Sequence, residues 1–253
     1  MNRRLNNVLI STKQKRLIDV LKICLDDPKQ MEMIVANLTI GTTEFFRDPD
    51  FYKNLREKVI PVLKTYPSIK VWCAGCSTGE EPISLAIMLH EEGLLDRSVI
   101  FATDINPVAL KQGERGIYPT RSLEKFAKNY NSSGGKNEPS NYYTSEYGYV
   151  LFNKELRKNI VFTTHNLATD STFIEAHLIL CRNVLIYFNR DLQNRALTLF
   201  RNSLARKSFL GIGSKEALRF TSVKDDFQTV DMPNNIFRLE DKTTSEHVHP
   251  GVK

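Results

Sequence analysis

VWCAGCSTGEEP, residues 71–82, starts as an apolar strand, breaks into small residues and meets two carboxylates at the head of an apolar helical run, Pro82 to His90. A small-residue turn between strand and helix lets a ligand approach backbone N–H groups closely. In dinucleotide sites that turn reads GxGxxG and receives a pyrophosphate. Here only Gly75 and Gly79 are present, so the spacing misses that pattern. Glu80 and Glu81 would repel a phosphate, and the lysine of a phosphate loop is absent. The turn disfavours a phosphate ligand and, with it, a nicotinamide-dependent dehydrogenase.

S-adenosylmethionine suits the same turn better. It has no phosphate, and its sulfonium and amino groups are positive, so Glu81 can face a cationic end. Asp104 closes the next strand, SVIFATD (98–104), where Rossmann-like folds use an acid to accept hydrogen bonds from ribose hydroxyls. Read without a ligand, Glu80 and Glu81 are first-turn acids that complement the helix macrodipole. Strand, turn and second-strand acid together favour the cofactor. The C-A-G-C spacing of Cys73 and Cys76 has no matching second pair, and Cys24 and Cys181 are remote in sequence. No metal is expected, and the two thiols read as fillers of a tight turn.

Outward from this point, strands alternate with helices. IKVWC (69–73), SVIFATD, NIVFTTHNL (159–167), HLILCRNV (177–184) and KSFLGIG (207–213) read as strands; 80–92, 107–115 and 190–205 read as helices. That alternation predicts an α/β fold with a mostly parallel sheet covered on both faces. NNIFRLE (234–240) reads as a last strand of antiparallel sense. Tyr118 to Lys158 breaks the pattern with NSSGGKNEPS and YYTSEYGYVLFN, which predicts a small β-rich insertion. Before the sheet, residues 5–25 place Leu17, Leu21 and Leu25, with Ile18 and Cys24 beside them, at helical spacing opposite a basic face. Helices are expected at 29–38 and 51–63, and 241–253 reads as a mobile tail.

Length and charge narrow the partners. A chain of 253 residues buries one sizeable core with room for a small accessory element. No apolar run is long enough to cross a bilayer, and MNRRLNNVLISTKQKR lacks a secretory core, so membrane insertion is not expected and the cytoplasm is. The net charge of +6 suggests an anionic partner, and its excess sits early, at Arg3, Arg4, Lys13, Lys15, Arg16 and Lys22.

TTEFFRDP (42–49), STGEEP (77–82), FATDI (101–105), HNL (165–167) and CRNVLIYF (181–188) occur in this order. In that order they resemble the CheR family of chemotaxis receptor glutamate methyltransferases, over roughly residues 37–240. The resemblance implies a Rossmann-like, seven-stranded methyltransferase sheet behind a short N-terminal helical region. Residues 1–64 would form that region with the TTEFFR linker, and 65–240 the S-adenosylmethionine-dependent domain, with 118–158 as an inserted β-subdomain. It implies methyl transfer from S-adenosylmethionine, leaving S-adenosylhomocysteine, to glutamates on the cytoplasmic helices of chemoreceptors, by a monomer. By the same resemblance Gly41, Thr43 and Arg47 flank the cofactor, Glu81 holds its methionine end and Asp104 its ribose. Asn166–Leu167 and Asn183–Val184 frame the adenine and the reacting end, with Arg47 and Tyr187 closest to the chemistry. From residue type alone, Tyr187 is a core aromatic and Arg47 a helix-cap ion pair.

Some features depart from the family pattern. About forty residues precede TTEFFR, fewer than usual, which weakens docking through that region. GIGSKE (211–216) stands where many members have GHSE, and the insertion lacks a glycine-rich loop for a receptor's tether peptide. A carboxylate is already ionised at neutral pH and needs no base, so His165 reads as structural. A nucleic-acid methyltransferase is the first rival, but CRNVLIYF lacks the prolines of the Asn/Asp-Pro-Pro-Tyr/Phe loop, and no nucleic-acid partner is expected. A non-catalytic cofactor-binding module is the second.

Overall fold

A computed structural model describes residues 2–38, 41, 43–219 and 221–240. The expected tail, 241–253, lies outside them. The chain opens with α1 (Asn2–Ser11), α2 (Leu17–Asp26) and α3 (Pro28–Leu38). After the TTEFFR linker come α4 (Pro49–Asn54), a π-helical turn (Leu55–Val59) and α5 (Ile60–Leu63). The single helix expected over 51–63 is thus interrupted. Pro61 has no N–H to return to the preceding turn, and Ile60 N–H reaches back to Leu55 O instead.

The main sheet begins with β1 (Ile69–Ala74), α6 (Glu80–Glu91), β2 (Ser98–Asp104) and α7 (Pro107–Arg115). The insertion contributes β3 (Ile117–Pro119), α8 (Leu123–Ser132), β4 (Tyr143–Glu146), β5 (Tyr149–Phe152) and α9 (Lys154–Arg157). The chain then returns through β6 (Ile160–Thr164), β7 (Ala176–Cys181), α10 (Arg190–Ser203), β8 (Leu204–Ile212), β9 (Phe227–Asp231) and β10 (Ile236–Leu239). The seven-stranded order is β6-β2-β1-β7-β8-β10-β9. The first five in space are parallel, while β10 is antiparallel to both β8 and β9. Strand order reverses at β1, with β2 on one side and β7 on the other. Crevices of open α/β sheets lie at such a reversal, beyond the carboxyl ends of the strands.

Period-two alternation divides the core. Val71 and Cys73 of β1 join the cluster under α6 and the linker, whereas Trp72 and Ala74 join the cluster under α10. From Val71 to Ala74 β1 is buried on both faces, which is why that stretch reads as a continuous apolar run after the exposed Lys70. The insertion carries the expected antiparallel sheet, β3-β5-β4. It also holds α8, which buries Phe126 and Tyr130 one helical turn apart and which the expectation of a β-rich insertion did not include. Phe45 and Phe46 of the linker plug into this insertion: Phe45 stacks 4.7 Å from Phe152 and 4.9 Å from Tyr118, and Phe46 5.4 Å from Tyr130.

At the N-terminus the structure corrects two expectations. Residues 5–25 are two helices, broken where Lys13 takes a left-handed φ of 55°. The stripe Leu17, Ile18, Leu21, Leu25 faces outward, with Leu25 85% exposed; Val20 turns inward against Val8 and Ile34. Three short helices enclose only that small core, so the partner helices rather than the densest apolar stripe choose the buried face.

Candidate active site

The strand ends build the site. Gly75 N and Cys76 N both donate to Thr103 O, at 2.7 and 2.9 Å, strapping the turn after β1 to the end of β2. Gly75 has φ +78°, and a Cβ there would stand 2.4 Å from Val184 Cγ2. That contact, with the positive φ, requires glycine. Asp104 closes the other wall. Its Oδ2 accepts from Ser77 N at 2.8 Å and its Oδ1 from Asn106 N at 2.9 Å, while Asn106 Oδ1 caps α7 through Val108 N and Ala109 N. Burial holds the Asp104 carboxyl above its ordinary range, against the pull of those backbone donors.

Arg182 ties three segments together. Its Nη1 lies 3.2 Å from Glu81 Oε1; its Nη2 lies 2.7 Å from Asp48 Oδ2 and 2.9 Å from Arg47 O. The guanidinium sits 4.1 Å over the Phe51 ring, with 3% of the side chain exposed. Burial pushes the Glu81 carboxyl up, opposed first by Arg182, with Arg47 also pulling it down. On either side of Arg47, Phe46 (φ 49°) and Asp48 (φ 56°) adopt left-handed backbone. Such non-glycine residues cost about 1–3 kcal/mol each and persist only where their surroundings dictate them. Here Phe46 N donates to Ser84 Oγ at 2.9 Å, Asn129 Nδ2 donates to Phe45 O at 2.9 Å, and Arg182 holds Asp48.

One cavity of about 1100 Å³ collects these groups. Gly41, Thr43 and Arg47 line it from the linker, Glu81 from the first turn of α6 and Asp104 from the end of β2. Asn166 and Leu167 line it beyond β6, and Asn183, Val184 and Tyr187 beyond β7. The ten residues named from the sequence as cofactor-binding or catalytic candidates therefore line one cavity. Tyr187 is 53% exposed at the mouth, so it is not a core aromatic. Arg182, Ser77, Asn106 and His165 also line the cavity and were not expected there. The strand patterns 159–167 and 177–184 overran the real strands by three residues each, and those overruns, His165–Leu167 and Arg182–Val184, are the site loops.

Ser77 Oγ, His165 Nδ1 and Asn183 Oδ1 are buried, line the cavity and have no hydrogen-bond partner among the described residues. Buried polar atoms left so are unusual and are where a ligand would pair. Together with Glu81 and Asp104 they fit S-adenosylmethionine, which offers hydroxyls, amines and a positive end. Among the described residues no group of three or more His, Cys, Asp or Glu is placed to hold a metal ion. Burial raises the Cys73, Cys76 and Cys181 thiols well above their ordinary range, which keeps them protonated and unreactive.

Fold and site together define an S-adenosylmethionine-dependent methyltransferase of Rossmann-like architecture. Residues 41–236 match the family model for the CheR methyltransferase, SAM binding domain, and the chain belongs to that family. A Pseudomonas putida relative bearing the name Cher3 is 47% identical over 236 residues, covering 93% of this chain and 84% of that protein. A chemotaxis protein methyltransferase of Listeria innocua is 33% identical, covering 86% of this chain and 81% of its own length. Its namesake in Borreliella burgdorferi is 30% identical, covering 75% and 69%.

Proposed function

We propose that this protein transfers the methyl group of S-adenosylmethionine to glutamate side chains on the cytoplasmic helices of chemoreceptors, acting as a cytoplasmic monomer. Family membership and relatives named chemotaxis protein methyltransferases support the reaction class. The observation that carries the substrate class is Arg47, which lines the cavity together with Glu44, Glu81 and Asp104 and whose backbone carbonyl accepts from the buried Arg182. A cation so placed suits an anionic side chain entering from outside.

Bound S-adenosylmethionine supplies the methyl group and a sulfonium leaving group. A glutamate carboxylate, with a reference pKa near 4.3, is ionised at neutral pH and needs no base. The chain's tasks are alignment and exclusion of water. Arg47 orients the incoming carboxylate by a charge-assisted hydrogen bond, and Tyr187 borders its entry. Glu81 pairs with the amino group of the cofactor and Asp104 with its ribose. Asn166 and Leu167 frame the adenine, Asn183 and Val184 the reacting end, and Gly41 and Thr43 flank the linker side. Too firm a grip by Arg47 would stabilise the ground state and slow transfer.

Incubation with labelled S-adenosylmethionine and membranes of the source organism tests this reading. Base-labile label on a receptor-sized protein is expected, as a glutamyl methyl ester requires. Label recovered in nucleic acid, or none on any protein, would overturn it.

A further inference from the structure

The loop after β7 rests on a buried carboxylate. Glu216, the last residue of GIGSKE, is 6% exposed. Its Oε1 accepts from Val184 N at 2.8 Å and Ile186 N at 3.3 Å; its Oε2 accepts from Asn183 N at 3.2 Å and from Gly213 N. Four backbone donors converging on one anion form a nest, the geometry proteins use to hold negative charge. Three of the four belong to the loop that carries Asn183, Val184 and Tyr187 into the cavity. Asn183 needs such support, since it sits at a left-handed φ of 61°. The approach also fixes Gly213, where a Cβ would lie 2.7 Å from Glu216 Oε2 and 2.8 Å from Asn183 N. From the opposite side, Asn235 Nδ2 donates to Gly213 O and Glu216 O, at 2.8 Å each, and braces the turn.

We propose that Glu216 is a positioning residue for methyl transfer: its carboxylate gathers the N–H groups of Asn183, Val184 and Ile186, so the loop presents Asn183 Oδ1 and Tyr187 to the cavity. The assignment rests on the proposed function, in which Asn183 and Val184 frame the cofactor. It accounts for the GIGSKE departure as well. Whatever precedes it, the motif keeps a carboxylate at the one place where the loop's donors converge.

The test is Glu216→Gln in the full chain, with cofactor affinity by calorimetry, thermal midpoint, and turnover at saturating cofactor. Glutamine keeps the shape, removes the charge and turns an NH2 toward N–H donors. Affinity for S-adenosylmethionine is expected to fall about ten- to hundredfold, the worth of hydrogen bonds to a charged group, with turnover lowered alongside. Asn235→Ala is the control, because it loosens the same turn without touching the carboxylate. It should lower the thermal midpoint while leaving affinity near wild type. Glu216→Asp keeps the charge but withdraws it by one methylene, so it decides the matter if the glutamine variant does not fold; an intermediate loss of affinity is expected. Wild-type cofactor affinity in Glu216→Gln, or in Glu216→Asp where that variant stands in, would overturn the assignment. So would an equal affinity loss in Asn235→Ala. Calorimetry needs no methyl acceptor, so the role of Glu216 is decided whether or not receptor glutamate proves to be the substrate.

Discussion

Glu81 and Arg47 share one electrostatic neighbourhood with opposite charges, and their roles separate by measurement. Burial holds the Glu81 carboxyl above its ordinary range, although Arg182 pulls it down. A raised folded-state pKa contributes stability that is present below the ordinary value of about 4.5 and is lost as pH rises through the raised one. Glu80 and Asp104 act in the same direction, whereas Glu91, Glu92 and Asp231 are lowered and act in the opposite one. The informative comparison is therefore wild type against Glu81→Gln. The variant should gain stability relative to wild type as pH climbs from the ordinary carboxyl range through the raised Glu81 value. Cofactor affinity should behave conversely. A cation prefers the ionised carboxylate, so wild-type affinity should weaken on acidification toward the raised Glu81 pKa, while Glu81→Gln binds weakly and with a flatter pH profile. For Arg47→Ala, turnover should fall roughly ten- to hundredfold with cofactor affinity within a few-fold of wild type; equal losses would make Arg47 a cofactor ligand. That Glu81, Asp104 and Arg47 meet at one cavity was legible because each sits in a short motif, at the head of α6, the end of β2 and the linker. Arg182 was not, since its partners Glu81 and Asp48 lie 101 and 134 residues away.

Among the elements, the turn after β1 sets the tightest condition. Gly75→Ala would place a methyl against Val184 and also force an alanine to φ +78°. Gly93→Ala meets nothing within 4 Å at φ +69°, so it isolates the conformational part, about 1–2 kcal/mol. Gly75→Ala should destabilise by more than Gly93→Ala in denaturant melts, and only Gly75→Ala should weaken cofactor binding by pushing Val184. Equal behaviour would mean that the Val184 contact relaxes freely. Strands were legible at this scale because β1, β2 and β7 are apolar or small at most positions on both faces. Their ends were less so: a strand reading carries on to the apolar Leu167 and Val184, across the polar His165, Asn166, Arg182 and Asn183, and hydrogen-bond pairing stops at Thr164 and Cys181. β9 escaped notice because FQTVD alternates weakly and finds its place only by pairing with β10.

Across the whole molecule, the N-terminal helices lie beside the cavity mouth, with Asn7 and Asn37 on its lining. The basic residues Lys13, Lys15 and Arg16 suit an encounter with the glutamate-bearing receptor helices of the proposed function, and such steering weakens with salt. Reversing all three should slow receptor methylation at low ionic strength and leave cofactor affinity unchanged; an unchanged rate would dismiss this docking role. The outward stripe permits a second check. Because Leu17, Leu21 and Leu25 are 46%, 57% and 85% exposed, replacing them with Gln should shift folding stability by no more than about 0.5 kcal/mol each. A large loss would place them in a core. No helix among the described residues is long and apolar enough to cross a membrane. The sequence by itself determined the α/β alternation, the small-residue turn, the acid closing the second strand and the ordered family motifs, because each follows from neighbours a few residues apart. Only the tertiary structure decided which face of α2 is covered, that Arg182 joins the linker to Glu81, and that Glu216 supports the loop after β7. Those outcomes depend on packing and charge between segments that meet only after the sheet has formed, and no local pattern encodes them.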